Sequence, residues 1–147
     1  MIEKSLEQLR ENRLMRKEIE VAAFEDALEE IAMALRTNYL RELHLILDDR
    51  CEHTEVMFQL VHLLEGYEPA PQMTALLEAL PEMERKAAEW IRILHFRILN
   101  DEPSRILYKS LLQRSKPEGR RVALQVLNTI IREEKSPISE YASFVVS

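Results

Sequence analysis

Apolar residues recur at intervals of three and four along most of the chain, which is the spacing of one face of an α-helix. One such stripe lies between Glu18 and Leu35 and consists of Val21, Phe24, Leu28, Ile31 and Leu35. A second lies between Thr54 and Glu65 and consists of Val56, Met57, Leu60, Val61 and Leu64. The pattern therefore predicts a succession of amphipathic helices.

Glycines and prolines indicate where these helices end and begin. Only two glycines occur, fewer than the tight turns of a β-sandwich or a Rossmann fold would need. Five prolines stand where a helix can start, because a missing N–H costs little in the first turn. They are Pro71, Pro81, Pro103, Pro117 and Pro137. The chain is predicted to be all-α with eight or nine helices.

The predicted helices cover most of the sequence. Their approximate bounds are 2–12, 18–35, 38–47, 54–65, 72–79, 81–100, 103–114 and 117–133, with a last short helix after Pro137. Helices that begin near Thr54, Lys86 and Glu118 are roughly 32 residues apart, within the range of helical-hairpin repeats. We expect a single domain, residues 1–147, built as an irregular HEAT-like stack of antiparallel helix pairs.

The single cysteine and the absence of long apolar runs indicate the compartment. Cys51 has no partner for an internal disulfide, which suits a reducing environment. The N-terminal residues do not resemble a signal peptide, and no apolar run approaches the roughly 20 residues of a membrane span. The protein is therefore expected to be cytoplasmic and not to associate with a membrane.

The net charge of -6 is unevenly distributed along the chain. Residues 1–80 contain 8 Lys+Arg and 17 Asp+Glu, a net charge of -9, whereas residues 81–147 have a net charge of +3. Such an acidic half argues against nucleic acid as the ligand, because phosphate binding needs a basic surface. It is compatible with a basic protein partner.

The stretch from Leu43 to Glu65 contains ionisable residues that helix packing does not explain. Two aspartates end its first helix, where the helix dipole disfavours carboxylates. Around Phe58, the polar face of the next helix is either simply solvated or a contact face with an aromatic anchor. We predict an acidic recognition edge, whose residues are Asp48, Asp49, Glu52, Glu55, His62 and Glu65. By contrast, the acidic residues Glu18, Glu25 and Glu29 of the second helix are interpreted as solvated.

The same stretch has no signature of an enzyme or a metal site. His44, His53 and His62 are each nine residues apart, so successive members point to opposite faces of a helix and cannot share a zinc ion. Cys51 and His53 lie close in sequence but lack an oxyanion-hole motif. Phosphate-binding, dinucleotide-binding and nucleophile-elbow motifs are also missing. We predict a protein without catalytic activity, cofactor or metal.

Two other groups of residues have structural interpretations. Trp90 lies on an apolar stripe with Ala87 and Leu94, so it is expected in the core. A basic run near the C-terminal end contains few aromatic residues, which favours a solvated or salt-bridged surface over an RNA site. Its members are Arg114, Lys116, Arg120 and Arg121.

Two blocks of the sequence resemble a known family. The first is Leu47-Asp48-Asp49 followed by residues 53–65, HTEVMFQLVHLLE; the second is Trp90 followed by the RILN of residues 97–100. In these blocks the chain resembles the immunity protein 30 family of bacterial polymorphic-toxin and contact-dependent-inhibition systems. The resemblance extends over about residues 18–130, so that residues 1–17 and 136–147 lie outside it.

The resemblance implies an all-helical protein that binds a co-encoded toxin domain, often a nuclease, and blocks it in the cytoplasm. The six residues of the acidic edge would then contact the toxin, because an acidic surface can imitate phosphate at a basic substrate site. The alternative is a HEAT-like adaptor or scaffold with no toxin partner, since a fold does not specify a function.

Overall fold

The structure is a computed structural model that describes residues 2–34 and 37–147. Within these residues the chain forms nine α-helices, one short 3-10 helix (Thr37–Tyr39) and no strand, so the all-α prediction is confirmed. The helices are α1 (Ile2–Asn12), α2 (Glu18–Ala34), α3 (Leu40–His44), α4 (Thr54–Glu65), α5 (Pro69–Met83), α6 (Ala88–Leu99), α7 (Glu102–Gln113), α8 (Pro117–Glu133) and α9 (Ile138–Val146).

Helix α5 lies at the centre of the molecule. It contacts α3, α4, α6, α7 and α8, and eight of its 15 residues are buried. Leu76, Leu80 and Met83 of α5 are completely buried, and each such side chain contributes about 1.5–3 kcal/mol to the free energy of unfolding. Helix α5 therefore connects the N-terminal helices to the C-terminal ones.

The outer helices pack in pairs, α1 with α2 and α8 with α9. The bounds of α1, α4 and α8 agree with the prediction from the sequence. Leu35, predicted to end the second helix, lies outside the described residues. The third helix is shorter than predicted, because the α-helix ends at His44 and single turns follow it up to Asp48. Whether the pairs stack as HEAT repeats do stays a prediction.

Pro81 does not begin a helix, and the prediction for this residue was wrong. It lies near the C-terminal end of α5, and α6 begins only at Ala88. Proline lacks the N–H that would bond to the carbonyl four residues earlier, which is that of Leu77. Gly119, in the first turn of α8, lies against this carbonyl, since a Cβ added there would overlap the Leu77 oxygen. Helix α8 thus approaches α5 closely where Pro81 leaves a carbonyl without its helical partner.

Two buried histidines join pairs of helices. His44 Nδ1 lies 2.8 Å from the Leu40 carbonyl oxygen, and its Nε2 lies 3.0 Å from the amide nitrogen of Gln72 in α5. His95 shows the same pattern, because its Nδ1 faces the carbonyl four residues earlier and its Nε2 is 2.7 Å from the Tyr108 hydroxyl in α7. Burial lowers the pKa of each histidine to about 4, so both are neutral at pH 7.

Candidate functional site

The Asp48 side chain is completely buried and forms an ion pair inside the protein. One carboxylate oxygen accepts hydrogen bonds from Arg13 Nε at 3.0 Å and from Arg50 Nη2 at 3.1 Å. The other accepts from the backbone N–H and the Nε of Arg50, at 2.9 and 3.2 Å. Burial alone would raise the pKa of Asp48, but the bonds from Arg50 and Arg13 outweigh it and the pKa lies below its usual value. Asp48 therefore ties the turn after α3 to the end of α1.

Asp49 caps a helix that is distant in sequence. Its carboxylate accepts hydrogen bonds from the backbone N–H groups of Glu89, at 3.1 Å, and Trp90, at 3.3 Å, in the first turn of α6. The residue before α6 is Ala87, which has no side-chain acceptor of its own. A carboxylate at a helix N-terminus pairs favourably with the helix dipole. Because α3 ends at His44, the two aspartates do not meet its C-terminus as predicted; they bind Arg13, Arg50 and the first turn of α6 instead.

Trp90 is buried, as predicted, and links the Asp48 turn to α4. Its indole Nε1 donates to the backbone oxygen of Asp48 at 3.2 Å. The Phe58 ring packs edge-on against it, with ring centroids 5.0 Å apart, and the His62 ring centroid lies 6.4 Å from that of Phe58. Phe58, the aromatic anchor predicted on α4, is partly buried, so only part of its ring is available to a partner.

The other four predicted residues, Glu52, Glu55, His62 and Glu65, are exposed. The Glu55 carboxylate lies 3.1 Å from His53 Nδ1. Glu65 accepts two hydrogen bonds from Arg97, at 2.6 and 2.8 Å, and this pairing raises the pKa of the guanidinium. Glu65 is thus already neutralised by α6. Glu52, Glu55 and His62 are the exposed members of the predicted edge that Arg97 does not bind.

Acidic residues of α2, which were interpreted from the sequence as solvated, lie beside the predicted edge. Gln59 of α4 donates to the Glu25 carboxylate at 2.9 Å, so the exposed faces of the two helices adjoin. Helix α2 has six Asp and Glu residues and no Lys or Arg, and α4 has two acidic residues and no Lys or Arg. We call the exposed residues of this region the acidic surface; its members are Asp26, Glu29, Glu52, Glu55 and His62.

A family model for immunity protein 30 matches residues 11–108. The chain belongs to the immunity protein 30 family. The match includes the whole of α2 to α6. It begins and ends earlier in the sequence than residues 18–130, over which the resemblance was expected. No curated protein and no solved structure matches the chain.

In this immunity protein 30 chain, the two blocks that carry the resemblance contact each other. The Asp49 carboxylate accepts from the Trp90 backbone N–H, and the Trp90 indole donates to the Asp48 carbonyl. These residues are more than 40 positions apart in sequence. The resemblance thus rests on residues that hold the turn after α3, α4 and the start of α6 together.

Two of the chemical possibilities raised by the sequence, a metal site and a reactive Cys51, can be compared with the described part of this immunity protein. Among these residues no group of three or more His, Cys, Asp or Glu side chains lies together as a metal site requires. Burial raises the pKa of the Cys51 thiol, which disfavours the reactive thiolate beside His53. None of the described helices is both long and apolar enough to cross a membrane.

The basic run of the C-terminal half serves partly to hold helices together. Arg120 donates to the backbone oxygens of Leu112, Gln113 and Ser115 at the end of α7. Arg121 pairs with Glu84 at 3.2 Å. Two of the four cations are therefore engaged within the protein, as the salt-bridged interpretation anticipated.

Proposed function

We propose that this protein binds a cognate toxin domain with one-to-one stoichiometry and neutralises it through the acidic surface. Family membership supports the toxin as partner. The observation that carries the choice of surface is that α2 and α4 expose carboxylates without a single Lys or Arg on either helix. A surface of one sign attracts a partner of the opposite sign and accelerates encounter.

The toxin that fits this surface best is a nuclease. A nuclease binds the phosphates of its substrate through Lys and Arg, so its active site is basic. Glu52 and Glu55 can occupy such a site as substitutes for phosphate. The Asp48 and Asp49 carboxylates are already bound by Arg13, Arg50 and the first turn of α6, so neither is expected to contact the toxin.

The proposal is tested by co-expression with the toxin domain encoded beside this gene. The protein is expected to restore growth, to co-purify with the toxin in equimolar amount and to inhibit cleavage of DNA or RNA by the purified toxin. If it neither restores growth nor co-purifies, the proposed function is wrong. Inhibition of a toxin with another activity would retain the immunity function and contradict the nuclease assignment.

A charge reversal tests the surface itself. Glu55→Lys is expected to weaken toxin binding by roughly tenfold or more, because it places a cation among carboxylates that face a basic partner. Glu140→Lys is the matched control, since both residues are exposed and stand in the first turn of a helix, where reversal costs the same dipole interaction. Equal binding by the two variants would contradict the assignment of this surface.

A further inference from the structure

Helix α2 exposes two large apolar side chains on its outer face. Ile19 is 75% exposed and Met33 is 87% exposed. They are fourteen residues apart, which is close to four full turns, so they lie on one stripe of the helix roughly 21 Å from each other. Asp26 lies midway on the same stripe. The outer face thus has an apolar residue near each end and carboxylates between them.

The rest of the chain contacts α2 on its other sides. On one flank Ser5 of α1 donates to Glu30 at 3.3 Å, and on the other flank Gln59 of α4 donates to Glu25 at 2.9 Å. The inner face is buried through Phe24, Leu28 and Ile31. The stripe from Ile19 to Met33 lies between the two flanks and faces away from the protein.

The charge of the face identifies the kind of partner. Because α2 contains six acidic residues and no Lys or Arg, a partner that covers it must be basic. A second copy of the same face is disfavoured, since it would bring like charges together. Nucleic acid is disfavoured for the same reason.

The size of the face indicates that α2 acts together with α4. A helix of 17 residues is about 25 Å long and about 10 Å wide, so its outer face covers about 250 Å². This area is smaller than the roughly 800 Å² that each partner buries in a standard interface. The adjoining edge of α4, with Glu52 and Glu55, extends the area. Apolar anchors surrounded by polar residues are the usual arrangement of a binding hot spot.

We infer that the outer face of α2 docks on a basic groove of the toxin, with Ile19 and Met33 as apolar anchors. Asp26 and Glu29 pair with Lys or Arg side chains of the groove. This inference rests on the proposed function and adds to it the anchoring residues and a second helix.

The test compares three alanine variants in a binding assay with the purified toxin domain encoded beside this gene. Ile19→Ala and Met33→Ala are each expected to raise Kd by roughly tenfold, because hot-spot truncations have effects of this size. Both residues are exposed and alanine favours helix, so the variants are expected to fold. Ile106→Ala is the matched control, since Ile106 is 53% exposed on α7, and its Kd is expected to equal that of wild type.

Other outcomes separate the inference from the proposed function. If Ile19→Ala and Met33→Ala bind the toxin as wild type does while Glu55→Lys binds weakly, the inference is wrong and the function stands. If wild type does not bind the toxin, both are wrong. If wild type dimerises in sedimentation experiments and Met33→Ala is a monomer, α2 is a self-association face and the inference is overturned.

Discussion

At the scale of single residues, two of the six side chains predicted to contact a partner hold parts of the fold together, and a toxin contact by any of the six stays a prediction. The Asp48 carboxylate is buried between two arginines, and Asp49 caps α6. Arg13 and Arg50 are 25% and 63% exposed, so water can solvate both guanidinium groups when the carboxylate is removed, and what is lost is the set of hydrogen bonds to Asp48.

Asp48→Ala is therefore expected to lower the free energy of unfolding by about 2 kcal/mol, the size of a lost hydrogen bond to a charged group, measured by urea denaturation. Asp49→Ala is expected to lower it by about 1 kcal/mol, the usual cost of losing a helix cap. Asp48→Ala should retain the toxin affinity of wild type under conditions where it is folded. A stable Asp48→Ala protein with lost affinity would instead assign Asp48 to the contact.

The sequence could identify these aspartates as unusual but could not assign their partners. The sequence predicted a conflict between Asp48-Asp49 and a helix dipole, but α3 ends four residues before Asp48. The partners, however, come from residues 35 and 41 positions away, and no local pattern connects Asp48 with Arg13 or Asp49 with Trp90. The position of α2 beside α4 was not predicted for the same reason, because the Gln59–Glu25 contact joins residues 34 positions apart.

At the scale of helices, the close approach of α8 to α5 depends on one missing side chain. Gly119 is buried against the Leu77 carbonyl. A methyl group there would meet backbone atoms, which cannot rotate away as a side chain can. The two helices would have to separate.

Gly119→Ala is thus expected to destabilise the protein by about 2–3 kcal/mol, although alanine is the better helix former. Two effects contribute to this change, the overlap with the Leu77 backbone and the higher helix propensity of alanine. Thermal unfolding of Gly119→Ala measures their sum, and Ala123→Gly in the same helix indicates the size of the propensity effect. If Gly119→Ala is as stable as wild type, the contact between α5 and α8 is less close than the structure describes.

Hydrophobic periodicity predicted the existence of the helices well because most of them bury one face. It failed at Pro81, since a proline near the end of one helix and a proline at the start of the next look alike in sequence. What distinguishes them is a tertiary contact, the position of Gly119 against the Leu77 carbonyl. The length of α3 was overestimated because Ile46 and Leu47 are buried in turns that continue its apolar pattern.

At the scale of the whole molecule, stability depends on two neutral histidines in the core. His44 links α3 with α5, and His95 links α6 with α7. In the unfolded chain each titrates near its ordinary pKa of 6.5, whereas in the folded protein the pKa is about 4. Between these values the unfolded chain binds more protons, so acidification favours unfolding.

Stability is therefore expected to be highest above about pH 6.5 and to fall toward pH 4, by up to about 3 kcal/mol for each histidine. Urea denaturation at several pH values measures this loss. A wild-type profile that stays flat between pH 7 and pH 4 would contradict the burial of both histidines.

The contact between Trp90 and Phe58 also allows the intrinsic fluorescence of Trp90 to report on this region of the protein. Trp90 is the single tryptophan of the chain, so intrinsic emission excited at the indole arises at the junction of the Asp48 turn, α4 and α6. His62, whose ring centroid lies 6.4 Å from that of Phe58, belongs to the acidic surface. Binding of a partner to α4 can therefore be measured through the fluorescence of unlabelled immunity protein. The partner must lack tryptophan, or its emission must be subtracted.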